Sequence, residues 1–345
     1  MTDRVLVTGI SGFVGGHVAL QLLEAGYLVR GSVRDLRKAD KVRATLARHG
    51  ADVSRLEFAA LDLMDDAGWA QAMAGVRYLQ HVASPFLVRL PRDKNELIRP
   101  AIEGTTRALE AAFASKVERV VLTSSMAAIM YGHDKARTAP FTATDWTNLE
   151  GRGVNAYIES KALAEKAAWA IADRHGRRGG LATINPGGIF GPLLDDDPGT
   201  SATLIIRLLD GSVPAAARVN LIAIDVRDVA ALHLRAMVVP EAGGHRFPMS
   251  AGTFSLIEYG HMLAAALPAY ASRMPRFEVP DWLARLAGAI DPDMRDNLGE
   301  IGYVKRTDAL DAKALLGRPF ISAPEAVAAT ARSAIEHGLV KRPAA

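Results

Sequence analysis

Residues 4–15 read Arg4-Val5-Leu6-Val7-Thr8-Gly9-Ile10-Ser11-Gly12-Phe13-Val14-Gly15, and this stretch decides the fold. An apolar run of strand length passes through three glycines, spaced G-x-x-G-x-x-G, into a helical pattern that continues to Ala25. Glycines at such a junction permit a tight turn and let a ligand approach the backbone closely. The amides that open the following helix then favour a phosphate group. A glycine turn elsewhere does no more than pack a helix on a strand; the position between a first strand and a first helix gives this one its meaning.

The rest of the first half repeats the alternation. Strand-like runs occupy 27–33, 56–60, 78–83, 119–124 and 181–185, with helical patterns over 38–49 and 157–173. Strands separated by helices of this length predict right-handed βαβ units on a parallel sheet. The runs are almost continuously apolar, as befits strands covered on both faces. The fold class is therefore α/β, a doubly wound parallel sheet, with a smaller C-terminal lobe. After Pro186 the glycines, the prolines and the run Asp195-Asp196-Asp197 signal an excursion from the sheet. A strand-like run over 221–226 brings the chain back, and Ser255-Leu256-Ile257-Glu258 reads as a capping box opening a helix. The division expected is a nucleotide-binding domain over 1–189 plus about 219–239, and a substrate lobe over about 190–218 plus 240–345.

Composition narrows the class. The chain has 345 residues, 49% apolar and 23% charged, which suits a globular enzyme. No stretch of 18 apolar residues is present and the start lacks a secretory pattern, so no membrane association and a cytoplasmic location are expected. The absence of cysteine excludes disulfides, thiolate metal ligands and a cysteine nucleophile. The histidines are scattered without ligand spacing, so no metal is expected. A net charge of +3 is too small for a nucleic-acid surface. The basic excess gathers between Arg30 and Arg48.

That excess bears on the ligand. A dinucleotide site for NAD places an acid after the second strand to hold the ribose 2′-hydroxyl. Here the place reads Ser32-Val33-Arg34, with no acid before Arg34. A 2′-phosphate needs positive charge in that position, and an arginine provides it bidentately. NADP(H) is the cofactor expected, with Arg34 as the principal contact and Arg37, Lys38 and Lys41 as secondary ones. Asp62 and Leu63, just past the third strand, are placed either to meet the adenine ring or to cap a helix.

Tyr157-Ile158-Glu159-Ser160-Lys161 spaces a phenol and an ammonium four residues apart, on one face of a helix. A phenol titrates near pH 10, and a neighbouring cation lowers that value. Tyr157 tuned by Lys161 can give a proton to a carbonyl oxygen as hydride arrives at carbon. Thr123-Ser124-Ser125 closes the fifth strand at the sheet edge where open α/β folds bind ligands, and a serine there can hold the carbonyl.

Taken with His81–Pro85, Asn185-Pro186-Gly187 and Asp225–Ala230, these motifs resemble an extended short-chain dehydrogenase/reductase, on the dihydroflavonol-reductase and microbial aldehyde-reductase branch. The resemblance covers nearly the whole chain and implies a Rossmann-type sheet. It implies Ser125 rather than Ser124 as the catalytic serine, with Tyr157 and Lys161, and Lys161 holding the nicotinamide ribose as well. Gly9, Ser11, Gly12, Phe13, Val14 and Gly15 would cradle the pyrophosphate. Arg34 and Lys41 would meet the 2′-phosphate, Val82 and Ser84 would line the groove, and Pro186 would abut the nicotinamide. Plant dihydroflavonol reductases carry an asparagine five residues past the serine; here Met130 stands there, which speaks against a flavonoid. Phe86, Met126, Met130 and Phe190 suggest an apolar pocket for an aldehyde or ketone, or else ordinary core packing, the stronger reading for Phe190. A nucleotide-sugar epimerase and a hydroxysteroid-type dehydrogenase are the rival enzymes on this fold, and a non-catalytic NADP-binding sensor is the rival from another class. Helices near 101–114 and 157–173 either pair subunits in a homodimer or cover a sheet face.

Overall fold

The computed structural model describes residues 3–85, 91, 93–287 and 298–341. The first half alternates as the apolar runs require: β1 (Arg4–Thr8), α1 (Phe13–Glu24), β2 (Leu28–Val33), α2 (Ala39–Arg48), β3 (Leu56–Ala60), α3 (Trp69–Met73), β4 (Tyr78–His81), α4 (Asn95–Ala114), β5 (Arg119–Thr123), α5 (Ala156–Arg174) and β6 (Leu181–Pro186). The second half holds β7 (Gly188–Phe190), α6 (Gly199–Asp210), β8 (Asn220–Asp225), α7 (Val226–Val238), β9 (Arg246–Met249), β10 (Gly252–Ser255), α8 (Leu256–Ala266), α9 (Asp281–Ala287), α10 (Leu310–Leu316) and α11 (Ala323–Glu336).

Seven strands form one parallel sheet in the order β3-β2-β1-β4-β5-β6-β9. Alternate residues of a strand face opposite sides, and β1 shows the result. Val5 and Val7 join a core with Val18, Leu22, Leu46 and Leu232 under α1, α2 and α7, whereas Leu6 joins Trp69, Leu79, Leu109 and Trp169 under α3, α4 and α5. Truncating any of these fully buried leucines to alanine costs on the order of 2–5 kcal/mol. A polar pin crosses the first core. His233 on α7 hydrogen-bonds Gln80 Oε1 at 2.7 Å and Thr123 Oγ1 at 2.9 Å, joining helix, β4 and β5.

The topology differs from the sequence reading at one place. Residues 221–226 were expected to return the chain to the large sheet. Instead β8 pairs with β7 and, in antiparallel sense, with β10 in a separate three-stranded sheet. The large sheet is closed by β9, a short run from the region assigned to the lobe. An apolar run declares a strand but not its neighbour, so sequence could identify β8 without placing it. A third core lies over the small sheet, where Phe190, Ile205, Leu208, Tyr259, Leu263 and Val327 pack between α6, α8 and α11.

Candidate active site

The glycine turn is folded as tightly as its composition allows. Gly9 has φ +70°, and a Cβ added there would come within 2.9 Å of the Ala83 Cα. One on Gly15 would lie 2.2 Å from the Gly9 carbonyl oxygen, so helix and turn touch backbone to backbone. Gly12 opens α1 with no side-chain cap, leaving the first-turn amides for an outside acceptor. Thr8 fastens this turn to the next strand. Its Oγ1 accepts from the amides of Val82 (3.1 Å) and Ala83 (3.0 Å) and donates to His81 Nδ1 (2.9 Å). A cradle too close for any side chain, at the start of an uncapped helix, fits a dinucleotide pyrophosphate. Within it, Ser11 is exposed and Val14 packs on the first core. Phe13 leans edge-on against His17 and reaches the lobe core.

The basic residues after β2 part company. Arg34 is exposed and has no ion-pair or hydrogen-bond partner among the described residues. Arg37 folds back on Asp35 (Nη2–Oδ2 2.6 Å), and Lys41 pairs with Asp196 at 2.8 Å and Asp195 at 3.6 Å. Asp62 accepts from the Met64 amide at 2.9 Å within a turn, and α3 begins later with Gly68 as its N-cap, so Asp62 does not cap a helix. Leu63 is half-buried and rests on Gly104, where a Cβ would lie 2.9 Å from that of Leu63.

Ser125, Tyr157 and Lys161 converge at the carboxyl ends of β4 and β5. Asn155 begins α5 by accepting from the Ile158 amide at 3.0 Å, which sets Tyr157 in the first turn. The Tyr157 side chain is hydrogen-bonded to that of Ser125. Ser125 Oγ also accepts from the Ala127 amide at 3.0 Å, fixing its rotamer. Lys161 Nζ donates to Ser84 Oγ at 2.8 Å and stands 5.6 Å from the Tyr157 ring centroid. Burial lowers the lysine to about 8. The expected depression of Tyr157 is not what the structure gives. Burial pushes the phenol above its ordinary value, and only the Ser125 hydrogen bond opposes it. Desolvation of a phenolate in this enclosed position outweighs a cation lying over the ring face.

The expected substrate-pocket residues do not stay together. Phe86 lies outside the described residues. Met126 and Met130 are buried beside Ser125 in a small cluster with Ile129, Phe141 and Ile222. Phe190 is a correction: it is 2% exposed and packs on Tyr259 in the lobe core, because its strand turns that face toward α8 and α11. Pro186 ends β6 fully buried, and Val82 and Ser84 flank the Thr8 junction. Sequence reasoning passed over two residues. Tyr131 is pushed up to about 12 by burial and by Tyr157 nearby; its place six residues past Ser125 was the available signal. Glu165 is a buried carboxylate four residues past Lys161, so its helical register was equally available.

With this geometry in hand, the chain can be set beside known proteins. The model of the NAD dependent epimerase/dehydratase family matches residues 5–252. A ketoreductase of Aspergillus niger is 32% identical over 81% of this chain and 87% of its own. Tetraketide alpha-pyrone reductase 2 of Arabidopsis thaliana is 34% identical over 70% of this chain and 76% of its own. The crystal structure of yeast methylglyoxal/isovaleraldehyde reductase Gre2 with NADPH superposes with a TM-score of 0.78 at 25% identity, covering 98% of this chain and all of that one. Among the described residues no helix is long and apolar enough to cross a membrane, and no cluster of metal-ligating side chains occurs. Agreement across that span of sequence and fold makes this chain a member of the NAD dependent epimerase/dehydratase family, in its extended short-chain reductase branch.

Proposed function

We propose that this chain reduces an aldehyde or ketone to the alcohol with NADPH, Tyr157 giving the proton, Ser125 holding the carbonyl and Lys161 supplying positive charge. The observation that carries the residue roles is the hydrogen bond between Ser125 and Tyr157 beside the anchored ammonium of Lys161. The relatives named above support the reaction class, and the NADPH in the yeast reductase structure supports the cofactor.

When bound, the dinucleotide supplies the hydride that reaches the carbonyl carbon. The chain supplies the rest. A phenol raised by burial is fully protonated at neutral pH, the state a proton donor needs. Ser125, hydrogen-bonded to Tyr157, can donate to the carbonyl oxygen as negative charge grows there. Lys161 at about 8 is mostly ammonium at pH 7 and stabilises the phenolate left after proton transfer. Solvent then returns a proton to Tyr157.

The methionines beside Ser125 favour a substrate with apolar or aryl groups near its carbonyl. Met130 offers no amide for a polyphenol. The absence of cysteine suits a reducing cytoplasm.

The test is absorbance at 340 nm, with NADPH and NADH compared across aliphatic and aryl aldehydes and ketones. Carbonyl-dependent oxidation favouring NADPH, abolished by Tyr157→Phe with cofactor binding intact, is the expected result. Tight NADPH binding without turnover on any carbonyl would overturn it.

A further inference from the structure

We propose that Glu165, clamped by Arg246, is a positioning residue that holds the Ser125 end of β5 in hydrogen-bonding contact with Tyr157. The proposal rests on the catalytic reading of Ser125 and Tyr157 given above.

Glu165 lies on α5 four residues beyond Lys161 and eight beyond Tyr157, close to the same helical face. Its carboxylate is 1% exposed and accepts five hydrogen bonds. Oε2 takes Ser124 Oγ at 2.5 Å and Asn185 Nδ2 at 2.7 Å. Oε1 takes Arg246 Nε at 2.6 Å, with Trp169 Nε1 and Thr183 Oγ1 each at 3.2 Å. The second hydrogen of Asn185 Nδ2 reaches the Ser125 carbonyl at 3.3 Å. The carboxylate thus grips the catalytic serine's segment twice, through the side chain before it and through its own carbonyl.

The geometry works as a ruler. A helix is rigid along its axis, so Tyr157 and Glu165 stand a fixed distance apart, about 12 Å at 1.5 Å per residue. With Ser124 tied to one end of that span, Ser125 is brought to the other. Arg246 completes the frame from β9. Its Nη1 donates to the carbonyls of Ala143 (2.7 Å) and Asp145 (2.6 Å), and the guanidinium lies 3.8 Å from the Trp146 ring centroid. Those residues belong to the loop that leads into α5. The ends of β5 and β6, the loop and the helix therefore meet at one ion pair.

Stability alone gives this pair little reason to exist. A buried ion pair is often replaced by apolar residues of similar volume without loss, because both charges must be stripped of water. An apolar cluster cannot impose direction on a strand end, whereas a carboxylate with five donors can.

The experiment compares Glu165→Gln and Ser124→Ala with Ser124→Thr, which keeps the hydroxyl. Both disruptive variants should lower kcat about tenfold or more, leaving the carbonyl KM and the NADPH dissociation constant within about twofold, as expected when reacting groups are misplaced. Ser124→Thr should recover most of the loss. In alcohol oxidation with NADP+, the acid limb of the pH profile should move upward, since the Ser125 hydrogen bond that holds the phenol down is weakened. If Glu165→Gln does not fold, Ser124→Ala decides alone, because it leaves the Arg246 pair intact. Wild-type kcat and profile with only a lower Tm would overturn the proposal. Ser125→Ala and Tyr157→Phe run alongside. If those two keep turnover, the catalytic reading fails; if they lose it while Ser124→Ala does not, only the role of Glu165 fails.

Discussion

The ammonium of Lys41 lies 2.8 Å from the carboxylate of Asp196, a contact made across 155 positions of the chain. Asp196 belongs to a segment laid over the nucleotide-binding half. The Pro192 carbonyl meets His17 Nε2 at 2.8 Å, and the Leu194 carbonyl meets His49 Nε2 at 3.0 Å. Lys41 is one of the two residues expected at the 2′-phosphate, so that phosphate and Asp196 would compete for one cation. Asp196→Asn should tighten NADPH about two- to fivefold, a small gain because both partners are exposed, and leave NADH unchanged. Fluorescence titration of both cofactors checks this; an equal change for both would remove Lys41 from the phosphate site.

Arg34 should carry the larger share of cofactor choice, since it is exposed and holds no other anion among the described residues. Arg34→Ala should weaken NADPH by about 10- to 100-fold, the order of a lost charge-assisted pair, while NADH changes little. The loss should shrink as salt rises, because screening weakens the wild-type contact. Equal losses for both cofactors would refute the assignment.

Lys161 should set an alkaline limit on turnover. Burial lowers it to about 8, so its charge disappears as the pH rises through that value, well before Tyr157 loses its proton. kcat/KM for reduction should fall above about pH 8, approaching tenfold per pH unit. Lys161→Met should be slow at every pH and lack this limb. A wild-type profile flat to pH 10 would show that the ammonium is not needed.

Acid should unfold the protein through histidines held neutral. Burial lowers His17 and His81 to about 4 and His233 to about 3, against 6.5 when free. The unfolded chain binds more protons below 6.5, so their stabilisation is complete above that pH and is lost as pH falls toward 4. The slope is about 1.4 kcal/mol per histidine for each pH unit. Thermal melts between pH 7 and 5 should show a steep drop in Tm, and His233→Gln should flatten it. A Tm independent of pH over that range would contradict the burial of these rings.

Much of this molecule can be read from local patterns. The glycine turn, the buried parallel strands and the Ser255–Glu258 capping box follow from neighbours in sequence, and the box is present with both of its hydrogen bonds. Strand-end and helix-face positions brought the Ser124-Ser125 pair toward Tyr157, and the family resemblance singled out Ser125. What escaped depends on partners distant in the chain. Nothing near Lys41 announces Asp196, nothing near Glu165 announces Arg246, and nothing in β8 says which sheet it joins. The raised phenol of Tyr157 escaped for a related reason: a proton equilibrium is set by the surrounding volume, which sequence spacing does not measure.

The late arrival of β9 has a consequence for the protein's synthesis. β6 is buried along its whole length, yet one of its two neighbours is encoded some sixty residues downstream. A nascent chain that folded its first six strands before β9 emerged would expose an open, apolar sheet edge beside the glycine turn. Such an edge is a template for pairing with another chain. Cleavage or premature termination before Met249 would leave it permanently open, making the fragment prone to aggregation even though every glycine of the cradle is in place.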